Sequence, residues 1–237
     1  MSFINENIEN KIQCKKNFKK IMLSDERAVI GFINPFSYEV VANEQDLING
    51  IKYWFCDGSL LVFLTNLRRK VKIERASFDY SSVAHDVFDN AMLNNLRVSF
   101  IGADTNEIKE AVRNIELKYE NIKVTYYRDG YFGKEYKENI FDEIIKSDAD
   151  YLIVGMGSPY QEKFAIEALE KCKNLSKVFT CGGFLTQTAI KSDYYHPLVK
   201  KLGVRWLQRA IMHSHVRKRL INNYPEFVLK YLLNSKR

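Results

Sequence analysis

The sequence has little of several features that identify common protein classes. Its four cysteines, Cys14, Cys56, Cys172 and Cys181, are far apart and form no CxxC pair, which predicts reduced thiols of a cytosolic protein and no disulfide framework. No stretch approaches the roughly 18 consecutive apolar residues of a membrane span, and the N-terminal segment lacks the apolar core of a secretory signal. We therefore expect a cytoplasmic protein that meets a membrane only from the side.

Catalytic signatures are missing as well. No GK[ST] follows a glycine-rich turn and no GxGxxG follows the first apolar run, so neither a Walker loop nor a dinucleotide fingerprint is present. There is no GxSxG, and no DxD pair of the sort that chelates a divalent ion in many nucleotide-sugar enzymes. The histidines are isolated or diverge on a helix, so we predict no metal site. A charged leaving group would then be neutralised by Arg, Lys and backbone dipoles.

What is present describes an ordinary globular protein. The 237 residues are 46% hydrophobic and 27% charged, which is enough to bury a full core. The formal net charge of +7 makes nucleic acid, phosphorylated ligands and an acidic lipid surface all reasonable partners. Charge alone does not choose between them.

Apolar, β-branched runs that break into Gly, Asn, Asp or Pro predict buried parallel strands. The runs are Arg27–Pro35, Leu60–Thr65, Leu96–Asp104, Ile122–Phe132, Asp150–Pro159 and Lys177–Gly183. Helical periodicity lies between them, at Asn43–Phe55, Thr105–Tyr119, Lys134–Asp148 and Tyr160–Cys172. This alternation predicts an α/β fold: a Rossmann-like, mostly parallel sheet with helices on both faces and ligands at the carboxyl ends of the strands.

The character of the chain changes at Gly203. The remaining segment shows no strand pattern, and its apolar residues Trp206, Leu207, Ala210 and Ile211 lie on one face at helical spacing. It also carries five basic residues: Arg205, Arg209, Arg217, Lys218 and Arg219. We predict a domain over residues 1–202 and a basic, amphipathic, helical appendage over residues 203–237.

The sharpest local motif is VGMGSPYQEKF, at Val154–Phe164. A strand ends, a turn of small residues follows, and a helix begins with Gln161 and Glu162, so backbone N–H groups and the helix dipole could hold a diphosphate. The alternative is a plain strand-to-helix turn that binds nothing.

Three other turns carry candidate side chains. Asp57 precedes Gly58 and could accept a proton from an acceptor hydroxyl, or could simply bond to turn amides. Asn34 precedes Pro35 and could bind a sugar hydroxyl or acetamido group, or could initiate a turn. Arg75 and Asp79 could line a pocket or form a surface ion pair.

The order of these motifs is more specific than any one of them. The series is Asn34-Pro35, Asp57-Gly58, Arg75–Asp79, Gly130-Tyr131-Phe132, the GxGxPxQE block from Gly155 to Glu162, Gly182-Gly183 and Trp206-x-x-Arg209. From about Gly31 to Arg219 it resembles the WecG/TagA/CpsF family, glycosyltransferase family 26. The resemblance implies a metal-independent, inverting glycosyltransferase without a cofactor. It also implies a donor of UDP-N-acetylmannosamine or its uronic acid, and an undecaprenyl-diphosphate-linked sugar as acceptor.

The resemblance also assigns roles. Products of such enzymes enter teichoic acid, common antigen or capsule, so the protein would work in cell-surface polysaccharide synthesis. It would lie peripherally at the inner face of the cell membrane. The resemblance also suggests self-association. Asp57 would be the general base, joined in the catalytic set by Asn34, Arg75 and Gln161. The UDP-sugar would contact Gly58, Tyr131, Gly155, Gly157, Pro159, Glu162, Gly182, Gly183 and Thr186. The basic tail would close over the diphosphate and dock on the membrane through Arg209, Arg217 and Arg219.

The chain departs from the family pattern at four places. Phe32 stands where Thr is common, Leu60 replaces the second glycine of DGxG, Thr186 replaces an Asp, and His213-Ser214 replaces an EP pair. The first two changes lie beside the expected sugar pocket and bear on donor identity. Two other classes remain open at this stage, a nucleotide-dependent epimerase or dehydrogenase and a basic nucleic-acid-binding protein.

Overall fold

The computed structural model describes residues 5–190, 199, 211 and 217–234. These residues form one parallel sheet of six strands in the order β2-β1-β6-β5-β3-β4. The strands are β1 (Ala28–Ile33), β2 (Tyr53–Cys56), β3 (Arg97–Gly102), β4 (Lys123–Arg128), β5 (Tyr151–Gly155) and β6 (Lys177–Thr180). Because all strands are parallel, their carboxyl ends meet at one edge of the sheet.

Helices fill the connections between the strands. They are α1 (Glu6–Lys11), α2 (Phe18–Met22), α3 (Pro35–Ala42), α4 (Gln45–Gly50), α5 (Ser59–Arg68), α6 (Ala84–Leu93), α7 (Thr105–Lys118), α8 (Lys137–Lys146), α9 (Tyr160–Lys171), α10 (Phe184–Ile190) and α11 (Tyr224–Asn234). Short 3₁₀ turns lie at Lys15–Asn17 and Lys134–Tyr136, and a π turn at Arg219–Asn223 precedes α11.

The core lies on both faces of the sheet. Along β1, Val29 and Ile33 belong to one apolar cluster, whereas Ile30 and Phe32 belong to the other, as strand alternation requires. Helices α3, α4, α5, α8 and α9 contribute to the first cluster, and α2, α6, α7 and α10 to the second. The predicted Rossmann-like fold with helices on both faces is confirmed.

One predicted strand is wrong and one real strand was missed. Leu60–Thr65 lies in α5, where Leu61, Leu64 and Thr65 are the buried residues, and this helical spacing places them on one face. The helix predicted over Asn43–Phe55 includes most of the residues of β2. The helix stops at Gly50, and Tyr53–Cys56 pairs with β1. Short apolar runs do not distinguish strand from helix by periodicity alone.

The helix α7 begins at Thr105, as predicted. Its N-cap is Asp104, whose carboxylate accepts from the backbone N–H groups of Asn106 and Glu107, and the Glu107 side chain accepts from the Asp104 N–H. This reciprocal pair is a capping box.

The helix α11 packs against α3 and α5 on the first face of the sheet. Phe227 and Tyr231 are buried there, and the hydroxyls of Tyr231 and Tyr38 both donate to the Glu9 carboxylate at 3.0 Å. The division of the chain at residue 202 remains a prediction, because most of residues 203–216 lie outside the described residues. In the described part of the chain, no helix is long and apolar enough to cross a membrane.

Candidate functional site

A cavity of about 330 Å³ opens at the carboxyl edge of the sheet. Residues that follow β1 and β2 form one side, and residues that follow β5 and β6 form the other. Ten of the predicted site residues line it: Asn34, Asp57, Arg75, Tyr131, Gly155, Gly157, Gln161, Gly182, Gly183 and Thr186. The parallel topology therefore brings most of the ordered motif series to one place.

The first side of the cavity carries a chain of charges, here called the charged wall: Asp57, Arg75 and Asp79. Arg75 Nη2 donates to Asp57 Oδ1 at 3.1 Å and to Asp79 Oδ2 at 2.5 Å. Asp57 is placed by the backbone, since its N–H donates to the Ile33 carbonyl of the neighbouring strand at 2.8 Å. Asp57 and Arg75 are half-buried and Asp79 is buried. The Arg75–Asp79 pair thus lines a pocket, and is not a solvent-exposed surface pair.

Asp79 anchors the charged wall. Burial on its own would raise the pKa of this carboxyl, but the Arg75 charge and hydrogen bonds from Ser81 outweigh burial and lower it. Asp79 is therefore ionised at neutral pH. Its negative charge fixes the guanidinium next to Asp57.

Asn34 is both a helix cap and a cavity residue. Its Oδ1 accepts from the N–H groups of Phe36 and Ser37 at 3.0 and 3.1 Å, and Ser37 Oγ accepts from the Asn34 N–H. The side-chain acceptor is thus used for the start of α3. The amide NH₂ group forms no hydrogen bond with any described residue, so it can donate to a ligand in the cavity.

The opposite side, here called the amide wall, consists of the turns at 156–158 and 182–183. Within the part of the chain that is described, the backbone N–H groups of Met156, Gly157, Ser158 and Gly183 have no hydrogen-bond acceptor, and all four residues line the cavity. Met156, Ser158 and Gly183 are half-buried and Gly157 is exposed, so these are N–H groups that a ligand can reach. A cluster of them in front of the first turn of α9 is typical of an anion site.

Gln161 and Glu162 join the two turns of the amide wall. Gln161 Oε1 accepts from the Gly182 N–H at 3.1 Å, and Gln161 Nε2 donates to Glu162 Oε1 at 2.9 Å. Glu162 Oε1 also accepts from Ser158 Oγ at 2.8 Å. Glu162 is completely buried, and burial raises its pKa despite these hydrogen bonds. Glu162 therefore supports the wall from behind and does not line the cavity.

Glycine is required at the end of β5. A Cβ at Gly155 would lie 2.8 Å from Cys181 Sγ and 2.9 Å from the Gly182 carbonyl oxygen, which is closer than van der Waals contact allows. The two turns of the amide wall can approach each other only because this residue has no side chain.

The remaining predicted residues occupy different positions. Tyr131 is 80% exposed at the cavity mouth, and Thr186 Oγ1 donates to Glu107 on α7 at 3.0 Å. Gly58 and Pro159 do not line the cavity, although both adjoin residues that do. Arg217 is exposed and donates to the Ile211 carbonyl; Arg209 and the side chain of Arg219 lie outside the described residues.

The resemblance placed Phe32 beside the expected sugar pocket, but no pattern in the sequence indicated that three phenylalanine rings form the floor of the cavity. Phe32 and Phe78 have ring centroids 5.9 Å apart, and Phe78 and Phe184 are 5.1 Å apart. All three line the cavity and are nearly buried. The period of β1 could have placed Phe32 opposite Ile33, but Phe78 lies in an irregular segment.

The prediction that the sequence contains no DxD pair is wrong, because Asp148 and Asp150 have this spacing. Both pair with Arg97 at the amino end of β3 and β5, at the edge of the sheet opposite the cavity. Among the described residues, no three His, Cys, Asp or Glu side chains are grouped so that they could hold a metal ion.

The fold and the cavity define a class: a parallel α/β protein whose ligand site combines paired charges with unpaired backbone amides. The chain belongs to the glycosyl transferase WecG/TagA/CpsF family, whose model matches residues 6–237. It is thus a glycosyltransferase by family, and the dehydrogenase and nucleic-acid-binding alternatives are set aside.

Relatives of known activity agree with this membership. The chain is 40% identical over 205 residues to a UDP-Gal:alpha-D-GlcNAc-diphosphoundecaprenol beta-1,4-galactosyltransferase of Shigella boydii, covering 86% of this chain and 85% of that protein. It is 24% identical over 220 residues to an N-acetylglucosaminyldiphosphoundecaprenol N-acetyl-beta-D-mannosaminyltransferase of Bacillus subtilis (strain 168), covering 88% and 80%. A Staphylococcus aureus (strain MW2) protein with the same activity is 28% identical over 168 residues, covering 70% and 64%.

Proposed function

We propose that the protein is an inverting, metal-independent glycosyltransferase of cell-surface polysaccharide synthesis, using a UDP-sugar donor and an N-acetylglucosaminyl-diphosphoundecaprenol acceptor. The observation that carries the proposal is that the charged wall and the amide wall face one cavity. One wall offers a carboxylate for a proton, and the other offers N–H donors for a leaving diphosphate.

In the proposed reaction, Asp57 takes the proton of the acceptor hydroxyl. The hydroxyl oxygen forms a bond to the anomeric carbon of the donor while the bond from that carbon to the diphosphate oxygen breaks. A single displacement inverts the anomeric centre, in keeping with the β products in the names of the relatives. The departing UDP carries the negative charge, which the N–H groups of Met156, Gly157, Ser158 and Gly183 stabilise.

Arg75 has two effects on this reaction. Its contact with Asp57 orients the carboxylate, and its link to Asp79 holds the guanidinium in place. Because Arg75 lies between the two carboxylates and donates to both, one of their two charges is compensated and they do not form a pair of metal ligands in this arrangement. We therefore retain metal independence as part of the proposal. Arg209, Arg217 and Arg219 are proposed to add positive charge near the diphosphate.

The relatives differ in the donor sugar that their names give. N-acetylmannosamine, the donor predicted from the resemblance, is the sugar of relatives at 24–28% identity, whereas the 40% relative transfers galactose. We propose galactose, because the apolar floor of Phe32, Phe78 and Phe184 suits the hydrogen-bearing face of a hexose and offers no hydroxyl for an acetamido group. The acceptor is common to the names of all three relatives.

A turnover screen tests this proposal. Purified protein is incubated with a short-chain N-acetylglucosaminyl-diphosphoprenol, one of several UDP-sugars and EDTA, and UDP release is measured. We expect turnover with UDP-galactose in EDTA that exceeds turnover with UDP-N-acetylmannosamine at least tenfold. Preference for the acetamido sugar would overturn the donor assignment alone, loss of activity in EDTA would overturn metal independence, and no transfer from any UDP-sugar would overturn the function.

A further inference from the structure

Helix α5 exposes a row of apolar side chains. Phe63 and Leu67 lie one turn apart on the helix, and Val71 follows in the irregular segment after the helix ends at Arg68; the three side chains are 60%, 57% and 64% exposed. The opposite face of the helix already supplies the core contacts, through Leu61, Leu64 and Thr65. Packing among the described residues therefore does not account for the exposed row.

Basic residues surround this row. Arg68, Lys70 and Lys72 are exposed beside it, and residues 58–73 contain four Lys or Arg and no Asp or Glu. We call Phe63, Leu67, Val71, Arg68, Lys70 and Lys72 the α5 surface. Large apolar side chains next to basic residues, with no acidic residue between, are characteristic of segments that lie in the interface of an anionic bilayer.

The α5 surface is also close to the reaction site. The helix begins at Ser59, two residues after Asp57, and Phe63 and Leu67 lie about 6 and 12 Å further along its axis. An acceptor whose prenyl chain stays in a bilayer must bring its sugar to Asp57, so a surface next to Asp57 has to approach the lipid.

We infer that the α5 surface inserts Phe63 and Leu67 into the interface of an anionic membrane, with its basic residues on the lipid phosphates, and so sets the cavity mouth on the bilayer. The inference rests on the proposed function for the position of the acceptor. It adds a second contact to the one predicted for the C-terminal segment. A second copy of the chain fits less well, because a symmetric contact would place the same basic residues of two copies against each other.

The structure offers a matched control on the other face of the sheet. Leu117 on α7 is 67% exposed, slightly more than Leu67, but it lies between Glu116 and Lys118. Residues Ile108, Val112 and Ile115 of α7 pack in the second core cluster. Leu67→Glu and Leu117→Glu therefore make the same change on opposite sides of the sheet, and Phe63→Glu/Leu67→Glu enlarges that change on the α5 side.

The experiment uses the full chain and vesicles of phosphatidylcholine with or without phosphatidylglycerol. We expect Phe63→Glu/Leu67→Glu to weaken binding to the anionic vesicles at least tenfold, and Leu117→Glu to leave it unchanged. Lys70→Ala should weaken binding to the anionic vesicles about fivefold without affecting binding to neutral ones. Melting temperatures close to that of the unchanged protein show that the variants are folded.

Activity separates this inference from the proposed function. With a vesicle-embedded long-chain acceptor, the double variant should lose at least tenfold in turnover, whereas a water-soluble short-chain acceptor should be used at the normal rate. Unchanged vesicle binding in both the double variant and Lys70→Ala would overturn the inference. A shift to smaller oligomers with unchanged vesicle binding would overturn it in favour of self-association. If the unchanged protein uses neither acceptor, the proposed function fails, while the vesicle measurement still decides the inference.

Discussion

The two walls of the cavity are built by different means. The charged wall is made of side chains, Asp57, Arg75 and Asp79, which come from the end of β2 and from the irregular segment that follows α5. The amide wall is made of backbone, from the turns after β5 and β6. Side chains behind it, above all Gln161, hold its shape without supplying its N–H donors.

This difference separates two kinds of function. A carboxylate can be replaced by an isosteric amide without moving the chain, so the charged wall can lose its chemistry and keep its geometry. A backbone N–H group is removed only by substitution with proline, which also restricts the chain, and is otherwise altered only when the turn that carries it is displaced. We therefore expect changes in the charged wall to reduce turnover and changes in the amide wall to reduce nucleotide binding.

Asp57→Asn should give the largest effect. The amide keeps the size of the carboxylate but does not accept the hydroxyl proton, and a positioned base contributes ~10²–10⁴-fold. We expect kcat to fall by that factor while the Kd for UDP, measured by calorimetry, stays within about twofold.

Asp79→Asn is the matched control, since Asp79 contacts the same guanidinium from the other side. We expect it to lower kcat less than about tenfold, because the Asp57 carboxyl is retained and only the hold on Arg75 is weakened. Equal losses in the two variants would show that Asp57 acts through Arg75 and is not the base.

Gly155→Ala should have the second largest effect, and it should weaken UDP binding, which Asp57→Asn leaves nearly unchanged. The new Cβ overlaps Cys181 Sγ and the Gly182 carbonyl, so the turns at 156–158 and 182–183 must move apart. Displacements near 1 Å can cost ~10²-fold, and we expect UDP affinity to fall between about tenfold and 10²-fold. A folded Gly155→Ala variant with normal UDP affinity would contradict the assignment of the diphosphate to the amide wall.

The sequence predicted the amide wall better than the charged wall. Strand-to-turn patterns at β5 and β6 place Gly155 and Gly182 at the carboxyl edge, because consecutive parallel strands end on the same side of a sheet. Arg75 lies in a segment with neither helical nor strand periodicity. Its contact with Asp57 spans 18 residues and depends on how that segment folds back, which no local pattern specifies.

Which residue of a motif faces the cavity was harder to predict than where the motif lies. Gln161 and Glu162 are neighbours and both are buried, but Gln161 lines the cavity and Glu162 does not. The difference depends on the angle at which α9 meets the sheet. The helix α5 was assigned as a strand for a related reason, since six apolar residues fit either element until tertiary contacts choose.

Glu162→Gln should have the smallest effect, visible in stability as a function of pH. Burial raises the pKa of Glu162 in the folded protein, so the folded state holds its proton more tightly than the unfolded state does. The free energy of unfolding must then fall as pH rises from about 4 toward the raised pKa, by about 1.4 kcal/mol for each pH unit between the two pKa values. Asp79 contributes with the opposite sign, because its lowered pKa gives stability that is lost as pH falls.

Urea denaturation between pH 4.5 and 8 should therefore show a flatter profile for Glu162→Gln than for the unchanged protein, while Asp79→Asn alters only the acid side. Identical slopes above pH 4.5 for Glu162→Gln and the unchanged protein would contradict the raised pKa of Glu162.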